Sequence, residues 1–217
     1  MPTATPALQG LDPAIQLMLL MGSFTLLPFV ASSMTCFMRY IIVLSILKQA
    51  MGTQQVPPAV VLVGLAIIMT FYTMAPTFGE IYAATAPMLQ NGKGDVIQIL
   101  EKTADPLKYF MMRQTREEDI KIFLEMTRSQ PPDDVRSLSI WEVAPAFMLS
   151  ELRTSFEIGF IIFIPFVVVD MVVSNILTAL GMSMLSPTII SLPFKILIFV
   201  AVDGWGMVIK GLMQSFN

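Results

Sequence analysis

The sequence predicts an all-α, integral-membrane fold of broken helices and hairpins that carries a small soluble helical insertion. Three observations predict it. Of 217 residues, 55% are hydrophobic and only 13% are charged, against roughly a quarter charged in soluble domains. Most of the charge falls between residues 80 and 142, with apolar sequence on both sides. Within the first apolar zone, the uncharged intervals 13–38 and 49–79 each exceed the ~20 residues that a membrane-crossing helix needs.

The first twelve residues, MPTATPALQGLD, hold no Lys or Arg ahead of the apolar run that starts near Ala14. A secretory leader normally carries a basic segment there, so the first apolar helix is read as retained. Between the two long intervals, RYIIVLSILK is framed by Arg39 and Lys48 with only eight residues inside. That is too short to cross, so the segment must extend a neighbouring helix or pack against protein. Pro57-Pro58, after GTQQV, marks a turn and a helix start, because proline lacks the N–H that a first helical turn leaves unpaired. The next helix is expected from about Pro58 to Tyr72.

The middle zone reads as a soluble helical insertion, with NGKGD at residues 91–95 as a loop. Asp105-Pro106 suits an N-cap and first helical position, after which Leu107, Phe110 and Met111 share one face. A capping box over Thr115 to Glu118 precedes Ile120, Phe123 and Leu124, which share a face on a second short helix. SQPPDD ends it. Eight basic residues from Lys93 to Arg136 stand against nine acids from Asp95 to Asp134, so charge does not set the side of the membrane on which it lies. The domain boundaries that follow are 1–79, 80–144 and 145–217.

The last zone is apolar but interrupted. Asp170 splits its long run, Lys195 and Asp203 follow, and Pro165, Gly181, Pro187 and Pro193 add breaks. Charge and broken backbone at membrane depth are tolerated mainly where protein or water surrounds them, so these helices are expected to face protein. Asp170 facing lipid would cost about 2.5–3.5 kcal/mol and needs a cation: Arg39, Lys48, Arg153, Lys195 or one from another subunit. Its functional reading is a proton or ion relay; the structural reading, an ion pair, is favoured for an isolated carboxylate in a chain without histidine. Glu151, Arg153 and Glu157 form a charged group in SELRTSFEIGF, with Arg153 and Glu157 spaced to meet on one helix face. They suit either a solvated helix end or a contact between subunits. Met182 and Met184 flank Ser183 in a turn, where flexible thioethers serve ordinary packing or, in a ring of copies, a soft apolar seal.

Several function classes are disfavoured. There is no histidine, Cys36 is the sole cysteine, and neither GxxxxGK(S/T) nor GxGxxG is present. The residues therefore indicate no metal, no cofactor and no nucleotide hydrolysis, and the chain is not read as an enzyme. A net charge of −3 lacks the basic footprint of a nucleic-acid binder.

The segments AMGTQQVPP, GLAIIMTFYTMAP, SELRTSFEIGF, FIPFVVVDMVVSNILTALGM and SPTIISLPFKILIFVAVDGW follow one another along the chain. Together they resemble the FliP/SctR family, the core export-gate subunits of type III secretion systems, from about residue 23 to 217. FMMRQTREEDIKIF is similar to the flagellar version. The resemblance implies a homo-pentamer in the bacterial inner membrane, within a flagellar basal body or an injectisome. FliQ/SctS and FliR/SctT type subunits would join it, unfolded secreted proteins would pass through its channel, and the insertion would face the periplasm. GMSMLSP is similar to the family's methionine-rich gasket loop. Met182 and Met184 match it, while Ser183 departs from the three consecutive methionines common in flagellar members and thins the ring. Asp170, Lys195, Asp203, Glu151, Arg153, Glu157 and Arg39 become buried or subunit-interface charges. The competing reading is a small-molecule or ion transporter with Asp170 as its coupling carboxylate.

Overall fold

The computed structural model describes residues 14, 15, 17, 18, 21, 22, 25, 32–53, 56–90, 96–126, 138–182 and 184–216. Every regular element among them is a helix: α1 (Phe37–Ala50), α2 (Ala59–Gln90), α3 (Val96–Gln114), α4 (Glu117–Met126), α5 (Ile140–Ala179), α6 (Pro187–Ala201) and α7 (Gly204–Gln214). Most of the first apolar interval, the loop at 91–95, the SQPPDD stretch and Ser183 lie outside the described residues. Two helices, at Ala59–Met88 and Ile140–Ala179, are long and apolar enough to cross a membrane. The pair α6 and α7, bent by 64° at their junction, forms a third candidate if it is one span.

The helices are longer than the proline positions suggest. α2 does start after Pro58, whose carbonyl accepts from Val61 and Leu62, but it passes Tyr72 and continues through Pro76 and Pro87. α3 begins at Val96 and runs through Pro106, so Asp105-Pro106 does not open it. α5 likewise continues through Pro165 and Asp170. An internal proline removes one backbone bond and costs about 3 kcal/mol. The helix continues on both sides of each proline, so one lost bond does not end it, although residue-by-residue reading counts it as a break.

The chain forms two compact units. The first lies within Met1–Cys36 and Met74–Ser150, and the second within Phe37–Thr73 and Glu151–Asn217. In the first unit, Met111 from α3, Ile120 and Leu124 from α4, and Val143, Ala146 and Phe147 from α5 form the core. Phe110 and Phe123 pack against it, and the rings of Phe110 and Phe147 meet edge to face at 5.9 Å. The predicted faces of both short helices are thus the buried ones.

The start of α4 differs from the expected capping box by one residue. The Thr115 hydroxyl donates back to the Met111 carbonyl at 2.7 Å, while the Arg116 carbonyl accepts from Asp119 and Ile120. Ser150 then bridges the cap: its Oγ accepts from the Arg116 N–H and donates to Asp119 Oδ2, both at 2.8 Å. The carboxylate three residues into the helix so reaches the cap N–H through a hydroxyl rather than directly. At the start of α5 the carboxylate half of a capping box is made directly, with Glu142 Oε2 accepting from the Ser139 N–H at 2.8 Å.

In the second unit, Leu47, Ala50, Met51, Phe166 and Phe199 form a buried cluster with Trp205 and Val208 against it. α1 is its internal strut, with Tyr40, Val43, Leu44 and Leu47 fully buried. The segment too short to cross a membrane therefore packs against protein, one of its two expected fates. Gly159 of α5 makes close approach possible, since any Cβ there would overlap the Ile46 side chain. α5 ends in a Schellman turn: Gly181 has φ +73°, its N–H bonds the Thr178 carbonyl, and the Met182 N–H bonds that of Leu177. Glycine suits this left-handed position because it carries no Cβ. Pro187 then opens α6 directly behind Ser186.

Candidate functional site

The second unit holds two internal charge clusters, one toward each end of α1. At its start, Arg39 Nε donates to Glu151 Oε2 of α5 at 2.8 Å, and Arg39 Nη2 donates to Glu151 Oε1. Arg39 Nη1 reaches the C-terminal turn, donating to the Ser215 carbonyl at 2.8 Å and to its Oγ at 2.9 Å. The Phe216 ring covers the guanidinium with its centroid 3.6 Å from Cζ, and the Tyr40 ring meets Phe216 edge-on. Arg39 and Glu151 are both buried. A planar guanidinium fits this arrangement because its fixed fork can serve a carboxylate, a carbonyl and an aromatic face together.

At the other end of α1, Lys195 of α6 does two things. Its Nζ pairs with Asp170 Oδ2 of α5 at 2.6 Å and donates to the Ala50 carbonyl at 3.2 Å. The second bond satisfies one of the carbonyls that a helix C-terminus leaves without an intrahelical partner, and the cation sits at the negative end of the helix dipole. Gly52, with φ +75°, turns the chain away immediately behind that carbonyl. Ser191 Oγ completes the carboxylate's shell, donating to Asp170 Oδ1 at 2.5 Å. Lys195 is almost fully buried, while the Asp170 side chain keeps about a third of its surface exposed, at 35%.

The cation for Asp170 is thus Lys195, among the alternatives Arg39, Lys48, Arg153 and Lys195. That partner supplies a structural reason for the carboxylate without a transported ion. Glu151 joins Arg39, which sequence spacing did not connect, and further along α5 Arg153 is half-buried and Glu157 exposed. Asp203 lies in neither pair. It occupies the left-handed junction between α6 and α7 with φ 52° and makes no side-chain cap bond. Its carboxylate lies over Gly206, where any Cβ would overlap it. Met182 is half-exposed and Met184 wholly exposed, at 100%, on the turn between α5 and α6.

Sequence reading missed Ser191, Ser215, Phe216 and the Ala50 carbonyl. Ser191 carries a usable signal, because it sits one helical turn before Lys195 and so shares its face. The C-terminal pair carries none, since nothing local ties residues 215 and 216 to residue 39.

The comparisons with known proteins point to one family. The FliP family profile matches residues 20–212. A flagellar biosynthetic protein FliP from Bacillus subtilis (strain 168) is 43% identical over 208 residues, covering 96% of this chain and 94% of that protein. Those from Pectobacterium carotovorum subsp. carotovorum and Treponema pallidum (strain Nichols) are 43% and 40% identical, each covering 94% of this chain and 79% and 76% of their own lengths. With long apolar helices, paired internal charges and a match across nearly its whole length, the chain belongs to the FliP family.

Proposed function

We propose that the chain is a non-enzymatic core subunit of a flagellar export gate, an oligomeric protein-conducting channel through which unfolded substrates cross the inner membrane. Homo-pentamer formation, with FliQ and FliR type subunits around it, follows from the family resemblance, as does a periplasmic face for the stretch 80–144. The observation that carries the reading is the α5–α6 hairpin. Two apolar helices are drawn together by the Asp170–Lys195 pair, and the turn at their tip presents Met182 and Met184 to the exterior. An apolar groove of about 410 Å³ runs beside this hairpin, lined by residues such as Val169, Val173, Ile190 and Phe194. Surfaces of this kind require lipid or protein against them. In a ring of copies the turns converge, and the thioethers adapt to one another in a closed state.

Cysteine chemistry tests this reading. With buried Cys36 replaced through Cys36→Ala, Met184→Cys is expected to give disulfide-linked copies of the chain on mild oxidation in membranes. A Val60→Cys control, on an exposed position of α2 away from the turn, is expected to link far less. Equal and negligible linking at both positions would remove the converging-turn arrangement.

A further inference from the structure

A second cavity, of about 730 Å³, lies in the second unit where the end of α1 and the start of α2 meet Thr188 of α6. Its lining divides into two chemistries. Lys48, Ser45, Gln49 and Thr188 contribute polar groups, while Leu62 and Val63 of α2 contribute apolar ones. Among the described residues, no Asp or Glu lines it. Lys48 is half-buried, and its ammonium has no ion pair or side-chain hydrogen bond among the described residues. The neighbouring cation, Lys195, is already engaged by Asp170. The first turn of α2 adds unpaired N–H groups and the positive end of the helix dipole at Ala59.

The cavity also opens onto an apolar track. Val63 lines it and lies on one face of α2 with Val60, Ile67 and Phe71, spaced three and four residues apart, all exposed. This helix is long and apolar enough to cross a membrane, and the cavity stands at its end. A ligand that fits must therefore carry a negative charge at one end and hydrocarbon at the other. We propose that the cavity binds the headgroup of an anionic phospholipid, with Lys48 on the phosphate and the acyl chains along Val63, Ile67 and Phe71. The site goes beyond the export-gate reading and depends only on the membrane placement of α2.

Native mass spectrometry of the full chain in a neutral detergent tests this, with phosphatidylglycerol and phosphatidylcholine of identical acyl chains as probes. The wild-type chain is expected to retain phosphatidylglycerol about fivefold better, the weight of one lysine near an anionic surface, with the preference shrinking as salt rises. Lys48→Gln is expected to bring the ratio close to one, and Lys48→Arg to keep it. The wild-type comparison stands even where a variant fails to fold. Equal retention of both lipids by the wild type, or a preference that survives Lys48→Gln, overturns the proposal. So does displacement of phosphatidylglycerol by excess inorganic phosphate, which would assign the site to a free anion. Unchanged lipid retention by Lys48→Gln together with loss of a co-purifying protein would assign the cavity to a protein contact, with the same consequence.

Discussion

Arg39 shows how one side chain can hold distant parts of the chain together. It sits in the first turn of α1, where a cation is disfavoured by the helix dipole, and it is compensated by Glu151, the Ser215 carbonyl and the Phe216 ring. Removing one partner leaves the other charge buried without compensation, so Arg39→Ala or Glu151→Ala is expected to cost about 3–5 kcal/mol. The double change Arg39→Leu with Glu151→Leu is expected to cost less than either single one, because no charge is then stranded. Denaturant unfolding of the four proteins in mixed micelles measures this, and single variants within about 1 kcal/mol of wild type would refute it. At this scale the sequence was only partly legible. Asp170 demanded a cation and Lys195 was among the candidates, since a lone carboxylate in an apolar run forces the question. Glu151 raised no such demand, because beside Arg153 it read as part of a charged helix end.

Among elements, α1 and α5 define the second unit through close packing and through the charges at both ends of α1. Gly159 sets the approach, for a methyl group there would fall on Ile46. Gly159→Ala is expected to destabilise by about 1–3 kcal/mol through overpacking, even though alanine is the better helix former. Ile46→Ala in the same chain should recover part of the loss. Thermal unfolding of single and double variants decides it, and a Gly159→Ala protein as stable as wild type would contradict the packing account. Among the described residues element type was legible, because apolar runs of this length and the faces of α3 and α4 have one economical solution. Element ends were not. Pro106 read as a helix start and Pro165 as a break, yet α3 and α5 run through them, as α2 runs through Pro76, since one lost backbone bond does not by itself end a helix. The Gly181 break was legible for a firmer reason: a left-handed turn needs a residue without a Cβ, and glycine supplies it directly.

For the whole molecule, the unresolved physical demand is the outward apolar surface. Phe160, Ile161, Met171, Ile176 and Leu197 are all exposed, on helices that also carry an ion pair and a sharp bend. Lipid alone covers hydrocarbon well but offers nothing to a partly exposed Asp170 or to Asp203 at a left-handed junction. Protein neighbours would satisfy both, and the proposed assembly supplies them. Nothing in one chain's sequence specifies how many neighbours there are, because an interface between copies is written in the same apolar code as a core. The most direct test is native mass spectrometry of the detergent-extracted chain, alone and co-expressed with the small membrane proteins of the same export apparatus. The account predicts a closed ring of several copies that gains those smaller subunits on co-expression. A monomer or simple dimer under both conditions would contradict it.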